Sequence, residues 1–468
     1  MTNSRLRDNA QEIFRQSLAD CSIESAFTRA IHVSNEKGSP RLVIHGIEPI
    51  ELISLKHIRV VAAGKAAGAM LSALLRCLEP CGQHDVSGVL IAAEQPSAIP
   101  PGFQFFQGGH PLPNEASLAG AQAAFDMLGD LQEDQTAATE TLVVFLISGG
   151  ASAMMELPLD PSISLEDLRN FYRELVHSGA SIAEINCIRK HFSAVKGGRL
   201  ALAARGIASL SMLISDVPPE HLDALASGPT LPDTSTVEQC REILARYELQ
   251  NRFSPSVRRF FERPDLPETP KPGSFTARTI TLLTSDHLAE AARKRAEELG
   301  FHVAIDNTCD DWDYRKAAEY LIDRVRSLRS IYPRVCLISS GEVTVKLPSA
   351  NVSAKLDSSG IGGRNQHFSL YAATLLEEAD ASMVVLSAGS DGIDGNSPAT
   401  GGVVDEQMLR CQTQTRNCDV SEEVRDAAMK SLQKFDSYTF LESMGATIVI
   451  GPTGNNLRDL RILLNVTN

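Results

Sequence analysis

Met383-Val384-Val385-Leu386-Ser387-Ala388-Gly389-Ser390-Asp391-Gly392-Ile393-Asp394-Gly395-Asn396 is the stretch on which the reading of this chain turns. Its first half is a short apolar run rich in Val and Leu, the pattern of a buried strand. It ends in small residues and then in two aspartates, each followed by glycine. In open α/β sheets, ligands lie outside the carboxyl ends of strands. Glycine lets a backbone approach a ligand closely, and carboxylates placed there can hold Mg²⁺ or accept a proton. Asp-Gly pairs are also ordinary turn chemistry. The stretch therefore reads either as a turn or as one wall of a site.

Working outward, Gly360-Ile361-Gly362-Gly363-Arg364 opens a helix whose core positions are Phe368, Leu370, Leu375 and Leu376. A guanidinium beside glycines at a helix start can hold a carboxylate or phosphate through two bonds; a plain surface arginine fits the same pattern. Upstream, Val335 to Ser339 reads as a strand running into Ser340-Gly341-Glu342, with Val343 to Leu347 as its return strand. Downstream, Thr447 to Ile450 reads as a late strand, and Gly451 to Asn456 as a Gly-rich turn leading into a final helix. The four prolines between Pro264 and Gly273 mark an interdomain linker.

Ahead of that linker, strands at Ile58–Ala63, Gly88–Ala92, Phe103–Phe106, Leu142–Ile147 and Leu210–Ser215 alternate with helical segments. This order implies parallel pairing and right-handed crossovers. The strand ends carry the chemistry. Lys65, between small residues at a strand-to-helix turn, can reach a bound anion, or can be a surface lysine. The turn is not a Walker A loop, because no Ser or Thr follows the lysine. His110, in the Gly- and Pro-rich loop 108–117, reads as a ligand contact or as a loop-backbone partner. Ser148-Gly149-Gly150-Ala151-Ser152 can form a nest of backbone N–H groups for phosphate or carboxylate. A nucleophile elbow would need glycine where Met154 stands. Arg189, Lys190, Lys196 and Arg199 read as a local positive field or a solvated basic face. Asp216 ends another strand and is a candidate metal or proton partner, and Ser227-Gly228 follow it.

The chain has 468 residues, 43% hydrophobic and 22% charged, as in globular proteins of two or three domains. A formal charge of −14 argues against general affinity for nucleic acid or acidic membrane surfaces. The nine cysteines form no C-x-x-C pair, which suggests a reducing compartment. The start of the sequence lacks an apolar signal region and no run is long enough to span a membrane. A cytoplasmic location is the expectation.

Together the strand-end loops offer anion-binding backbone, two cations and several carboxylates, the parts that phosphoryl transfer needs. At this point the motifs as a set become specific. GKAAGAM at 64–70, GGHPLPNEAS at 108–117, SGGASAM at 148–154, INCIRKHFSAVKGGRLA at 185–201 and SDVPPEHLDALASGPT at 215–230 occur in order. SSGEVTV at 339–345, GIGGRNQHFSL at 360–370, GSDGIDG at 389–395 and GPTGNNLRDL at 451–460 continue the series. They resemble the class II glycerate kinases, the family with an N-terminal DUF4147 domain and a C-terminal MOFRL domain.

The resemblance implies ATP-dependent phosphorylation of D-glycerate to 2-phospho-D-glycerate, with Mg²⁺. It implies a Rossmann-like, mainly parallel α/β domain over 1–270 and a mixed-sheet α/β domain over 271–468, with the active site in the cleft between them. The family's active-site lysine falls on Lys65, its arginine on Arg364 and its aspartate on Asp391. Ser148, Gly149, Gly150, Ser152, Lys190, Ser227, Gly228, Gly363 and Asp394 are the expected substrate- or nucleotide-binding positions, and Asp216 and Glu342 the metal candidates. Ala151, Ser340, Ser390 and the Asn396-Ser397-Pro398 run depart from the common family pattern, on loops. The expected partner is a small molecule, with no nucleic acid and no membrane; a homodimer stays open. Two rivals stand beside the kinase: a hydroxypyruvate reductase, for which no dinucleotide fingerprint is present, and a non-catalytic sugar-acid-binding regulator.

Overall fold

The structure is a computed structural model and describes residues 2–36, 39–81, 84–276, 278–347, 360–410 and 418–467. It divides into two compact units, Ile23–Leu282 on the one hand and Met1–Ser22 with Leu283–Asn468 on the other.

The Ile23–Leu282 unit begins with a small antiparallel sheet of β1 (Ile31–Glu36), β2 (Ser39–Ile44) and β3 (Ile47–Glu51). Its main sheet contains β4 (His57–Ala63), β5 (Asp85–Ala92), β6 (Phe103–Gln107), β7 (Thr141–Ser148), β8 (Ala208–Ile214) and β9 (Arg278–Leu283), in the order β6-β5-β4-β7-β8-β9. The pairings β4–β5, β5–β6, β4–β7 and β7–β8 are all parallel. The unbroken apolar run Leu142–Ile147 becomes β7, in which every residue is buried, as expected of a central parallel strand covered on both faces. The chain steps outward from β4 through β5 to β6 and then returns to the other side of β4 with β7. That reversal is the doubly wound switch point, the place where such sheets bind ligands. The helix Glu115–Glu133 covers β5 and β6, with Ala121, Ala124 and Leu128 in the core beside Val89 and Ile91.

The second unit holds β10 (His302–Ile305), β11 (Arg334–Gly341), β12 (Met383–Gly389), β13 (Gly401–Asp405), β14 (Thr447–Ile448) and β15 (Asp459–Val466), in the order β10-β11-β15-β12-β13-β14. Only β10–β11 is parallel; the pairings of β15 with β11 and β12, and of β13 with β12 and β14, are antiparallel. The sheet is therefore mixed, as expected. The first helix, Asn3–Asp20, packs here, on the helix Ser285–Glu298 and on β12. It buries Leu6, Ala10, Ile13 and Phe14. The expected N-terminal domain, 1–270, includes this helix, whereas its contacts group it with the second unit.

Two sequence expectations fail in this unit. The final segment is a strand, not a helix: Asp459–Val466 lies between β11 and β12 and is buried along nearly its whole length. Leu460, Leu463 and Leu464 carry good helix propensity, but burial on both faces of a sheet overrides it. The return strand expected at Val343–Leu347 does not form; Thr344 makes one isolated bridge with Asp313. Among the described residues, no helix is long and apolar enough to cross a membrane.

Candidate active site

At the switch point of the first unit, the loops after β4 and β7 are stitched together. The Ser148 hydroxyl accepts from the Ala66 N–H at 3.0 Å, and the Gly149 carbonyl accepts from the Lys65 N–H at 2.9 Å. Lys65 is thereby held at the mouth of the β4–β7 crevice with its side chain exposed. No carboxylate pairs with its amine among the described residues. Gly150 follows with φ +84°, a left-handed conformation that glycine takes without strain. A Cβ there would stand 3.1 Å from the Lys65 Cγ and 3.3 Å from the His110 Cδ2. The lysine stem and the imidazole thus meet over the same α-carbon. The Asp216 carboxylate lies against Gly149, where a Cβ would overlap it. Lys65, Ser148, Gly149, Gly150, His110 and Asp216 therefore gather at the carboxyl ends of β4, β6, β7 and β8.

Ser152, Ser227 and Gly228 form a connected second layer. The Ser152 and Ser227 hydroxyls lie 3.1 Å apart, and Ser227 Oγ donates to Asn186 Oδ1 at 2.9 Å. The Gly228 and Ser227 carbonyls accept from the Gly198 and Gly197 N–H groups. Ala226 and Ser227 both have positive φ, 52° and 60°, a conformation disfavoured for residues with a Cβ and found at sites where structure is held for function. Lys190 is not brought to these loops as a free cation. Its amine is buried between Asp223, at 2.8 Å, and Asp233, at 3.1 Å. Lys196 is likewise fully buried, on Glu156 at 2.5 Å, and that carboxylate also accepts from the Tyr172 hydroxyl, whose oxygen lies 2.9 Å from the Ser152 carbonyl. The basic segment 189–199 thus builds the support under the loop rather than a solvated face.

In the second unit, the stretch 383–396 forms β12 and the loop beyond it. Because β15 runs antiparallel to β11 and β12, Asp459 at its start pairs in register with Gly341 and Gly389. The carboxyl ends of β11 and β12 and the amino end of β15 thus coincide. Arg364, the first residue of the helix Arg364–Leu375, spans this end. Its Nε and Nη2 contact Asp459 at 2.5 and 3.0 Å, and Nη2 also reaches Glu342 at 2.8 Å. Asp394 caps the same helix: its carboxylate accepts from the Asn365 N–H at 3.1 Å and from the Gln366 N–H at 2.9 Å. Gly363 leaves room for it, since a Cβ there would overlap the carboxylate. Burial pushes the Asp394 carboxyl up to about 6, against the backbone bonds from Gln366 and with added repulsion from Asp459. Asp391 is half-buried, one Oδ accepting from the Ile393 N–H at 3.1 Å, while its carbonyl accepts from the Thr453 N–H.

Sequence reasoning missed Asp459, the carboxylate that grips Arg364, because its strand was read as a helix. The one available signal was Arg458-Asp459 standing directly before an apolar run, the mirror of Gly389-Ser390-Asp391 standing directly after one. Asp310, which holds Arg458 at 2.5 and 2.7 Å, was missed as well. Among the described residues, no three His, Cys, Asp or Glu side chains converge as a metal-binding group.

Two family models match successive parts of the chain. The family described as "Domain of unknown function (DUF4147)" matches residues 9–262, and the MOFRL family matches residues 335–459. The chain is 34% identical to the D-glycerate 2-kinase of Thermotoga maritima over 425 residues, covering 90% of this chain and 93% of that protein. It is 32% identical to a protein of Agrobacterium vitis named for hydroxypyruvate reductase, covering 86% of each. Among solved structures, the glycerate kinase of Thermotoga maritima superposes with a TM-score of 0.79 at 30% identity, covering 99% of this chain and 100% of that one.

Proposed function

Because the chain belongs to the class II glycerate kinases, a DUF4147 region followed by a MOFRL region, we propose that it transfers the γ-phosphoryl group of ATP to the 2-hydroxyl of D-glycerate. The observation that carries this reading is the loop pair at the β4–β7 switch point, where exposed Lys65 stands over the Gly149-Gly150 backbone. Phosphoryl transfer asks a protein mainly for positioning and positive charge around a polyanion, and this loop pair offers both.

In this reading Lys65 neutralises an anionic group of substrate or nucleotide. Arg364, already oriented by Asp459 and Glu342, meets the transferring phosphoryl, and Asp391 accepts the proton of the attacking hydroxyl. Ser148, Gly149, Gly150 and Ser152 supply polar contacts. Asp394 and Gly363 hold the start of the arginine's helix. Mg²⁺ fits as an ion carried by the nucleotide, because it takes one or two carboxylates together with phosphate oxygens and water. Asp216 or Glu342 would provide that carboxylate, and the ion would offset charge on the β- and γ-phosphates. The hydroxypyruvate reductase name of the Agrobacterium vitis relative has no counterpart in this sequence, which carries no dinucleotide fingerprint.

Incubation of the purified chain with ATP, Mg²⁺ and D-glycerate, followed by ³¹P NMR, tests the proposal. A 2-phosphoglycerate resonance is expected. A 3-phosphoglycerate product would correct the position of transfer, and NADH oxidation with hydroxypyruvate in place of phosphorylation would replace the reading altogether.

A further inference from the structure

Among the described residues at the switch point, His110 is a titratable side chain to which none of the assigned roles applies. The loop that carries it is pinned. The Gly108 N–H donates to the Ala92 carbonyl at 3.0 Å, and the Gly109 N–H donates to the Ser117 hydroxyl at 2.9 Å. Ser117 is itself fully buried and shares a capping box with Asn114. The imidazole is therefore presented by fixed backbone at the carboxyl end of β6, with its ring exposed on one side and set against Gly150 on the other.

Lys65 faces it across the same α-carbon. The segment 148–154 packed beneath the pair carries no titratable side chain, and the Asp216 carboxylate sits on the neighbouring Gly149. Among the described residues, no carboxylate forms an ion pair with either Lys65 or His110. An exposed ammonium set beside an exposed imidazole, with no carboxylate ion-paired to either among the described residues, offers one positive charge and one hydrogen-bonding nitrogen that a single anion between them would engage. Partial burial, and then the Lys65 ammonium, hold the imidazole below the usual histidine range, so at neutral pH it is uncharged and can donate or accept a hydrogen bond.

We propose that His110 is a ligand-contacting residue: its imidazole and the Lys65 amine together hold one anionic group of the substrate, carboxylate or phosphoryl, over Gly150. The inference rests on the reading of this loop pair as an anion site. It adds a specific consequence. An anion placed between the two groups offsets the lysine charge and raises the imidazole's proton affinity, so binding draws in a proton and tightens as pH falls through the His110 midpoint.

The experiment is a histidine Cε1–H NMR titration of the full chain, with His110 assigned by His110→Gln. The ligands are D-glycerate, ADP and inorganic phosphate in separate arms. The expected result is a shift of the His110 resonance and an upward move of its midpoint. A response to D-glycerate identifies the carboxylate as the bound group, and a response to ADP and phosphate alone identifies the phosphoryl. His110→Gln should raise the KM of the responding ligand about tenfold, the worth of one hydrogen bond to a charged group, with a smaller change in kcat and a flattened pH dependence of KM. A His110 resonance unmoved by all three ligands, in protein that turns D-glycerate over, overturns the inference. Movement with phosphate in protein that does not turn D-glycerate over leaves the inference standing and removes the kinase reading.

Discussion

The two strand-end clusters are built on opposite electrostatic plans. At the β4–β7 switch point the cation, Lys65, is exposed and has no carboxylate partner among the described residues, with His110 beside it. At the β11–β15–β12 end the cation, Arg364, is held by Asp459 and Glu342, and Asp394 closes the same helix start. The first arrangement leaves charge for a ligand to satisfy. The second satisfies itself, and its carboxylates hold the guanidinium in one orientation before any ligand arrives. Side chains of the first kind contribute to binding and little to stability. Side chains of the second kind contribute to both.

The sharpest break of this contrast is Lys65→Ala. Loss of a preorganised charge at a reacting centre costs about 10²–10³-fold in kcat, while an exposed side chain changes stability by about 0.5 kcal/mol or less. Steady-state kinetics and urea unfolding on the same preparation read both quantities. A large loss of stability would mean that Lys65 belongs to the scaffold. Arg364→Gln should differ in kind. It removes the partner of Asp459, a side chain only 1% exposed, and a buried carboxylate left unpaired is costly. Because the arginine side chain is itself about a third exposed, the expected stability loss is about 2 kcal/mol, together with a loss of turnover. Activity loss at unchanged urea midpoint would show that the two clusters are alike after all.

How much of this contrast the sequence could reveal differs between the two units. In the first, β4, β5 and β7 are apolar runs that end in small residues, so the strands and the loops at Lys65 and Ser148 were legible from those runs, and the parallel order from their alternation with helical segments. In the second, β12 was legible by the same logic, but β15 was not, because leucine-rich segments serve helices and buried strands equally well. With β15 unseen, Asp459 had no place, and Arg364 read as a ligand-holding guanidinium or a surface arginine. Lys190 shows the same limit: its charge was visible, but burial between Asp223 and Asp233 is a tertiary fact. The three short strands at 31–51 were too brief and too polar for periodicity to name. In each case the sequence marked which residues were chemically capable, and packing decided which of them remained available.

A titration sharpens the self-satisfied side. The Asp394 carboxyl is raised to about 6 in the folded protein, above the usual aspartate value of about 3.9 in an unfolded chain. Between these values the folded state holds the proton and the unfolded state does not, so this group's contribution to stability falls as pH rises from about 4 to 6. The full effect is on the order of 2–3 kcal/mol. Urea midpoints across that window should show the difference between wild type and Asp394→Asn shrinking, in wild type's disfavour, toward pH 6. Parallel curves would mean that the carboxyl titrates normally and that its hydrogen bonds to Asn365 and Gln366 outweigh its burial.

The smallest expected effect bears on the open side, at Gly150→Ala. A left-handed φ of +84° costs an alanine about 1–2 kcal/mol, and the added methyl would press on the Lys65 Cγ at 3.1 Å and the His110 Cδ2 at 3.3 Å. The nearest atom is the Met154 Cε at 3.0 Å, the end of a buried but unbranched side chain, and Lys65 and His110 are exposed, so all three can give and the fold should survive with a loss of about 1–2 kcal/mol. What such movement cannot preserve is the spacing between amine and imidazole. The KM of the anionic substrate should therefore rise several-fold while far-UV circular dichroism stays the same. If KM is unchanged, Lys65 alone sets the anion affinity and the open cluster needs no second member.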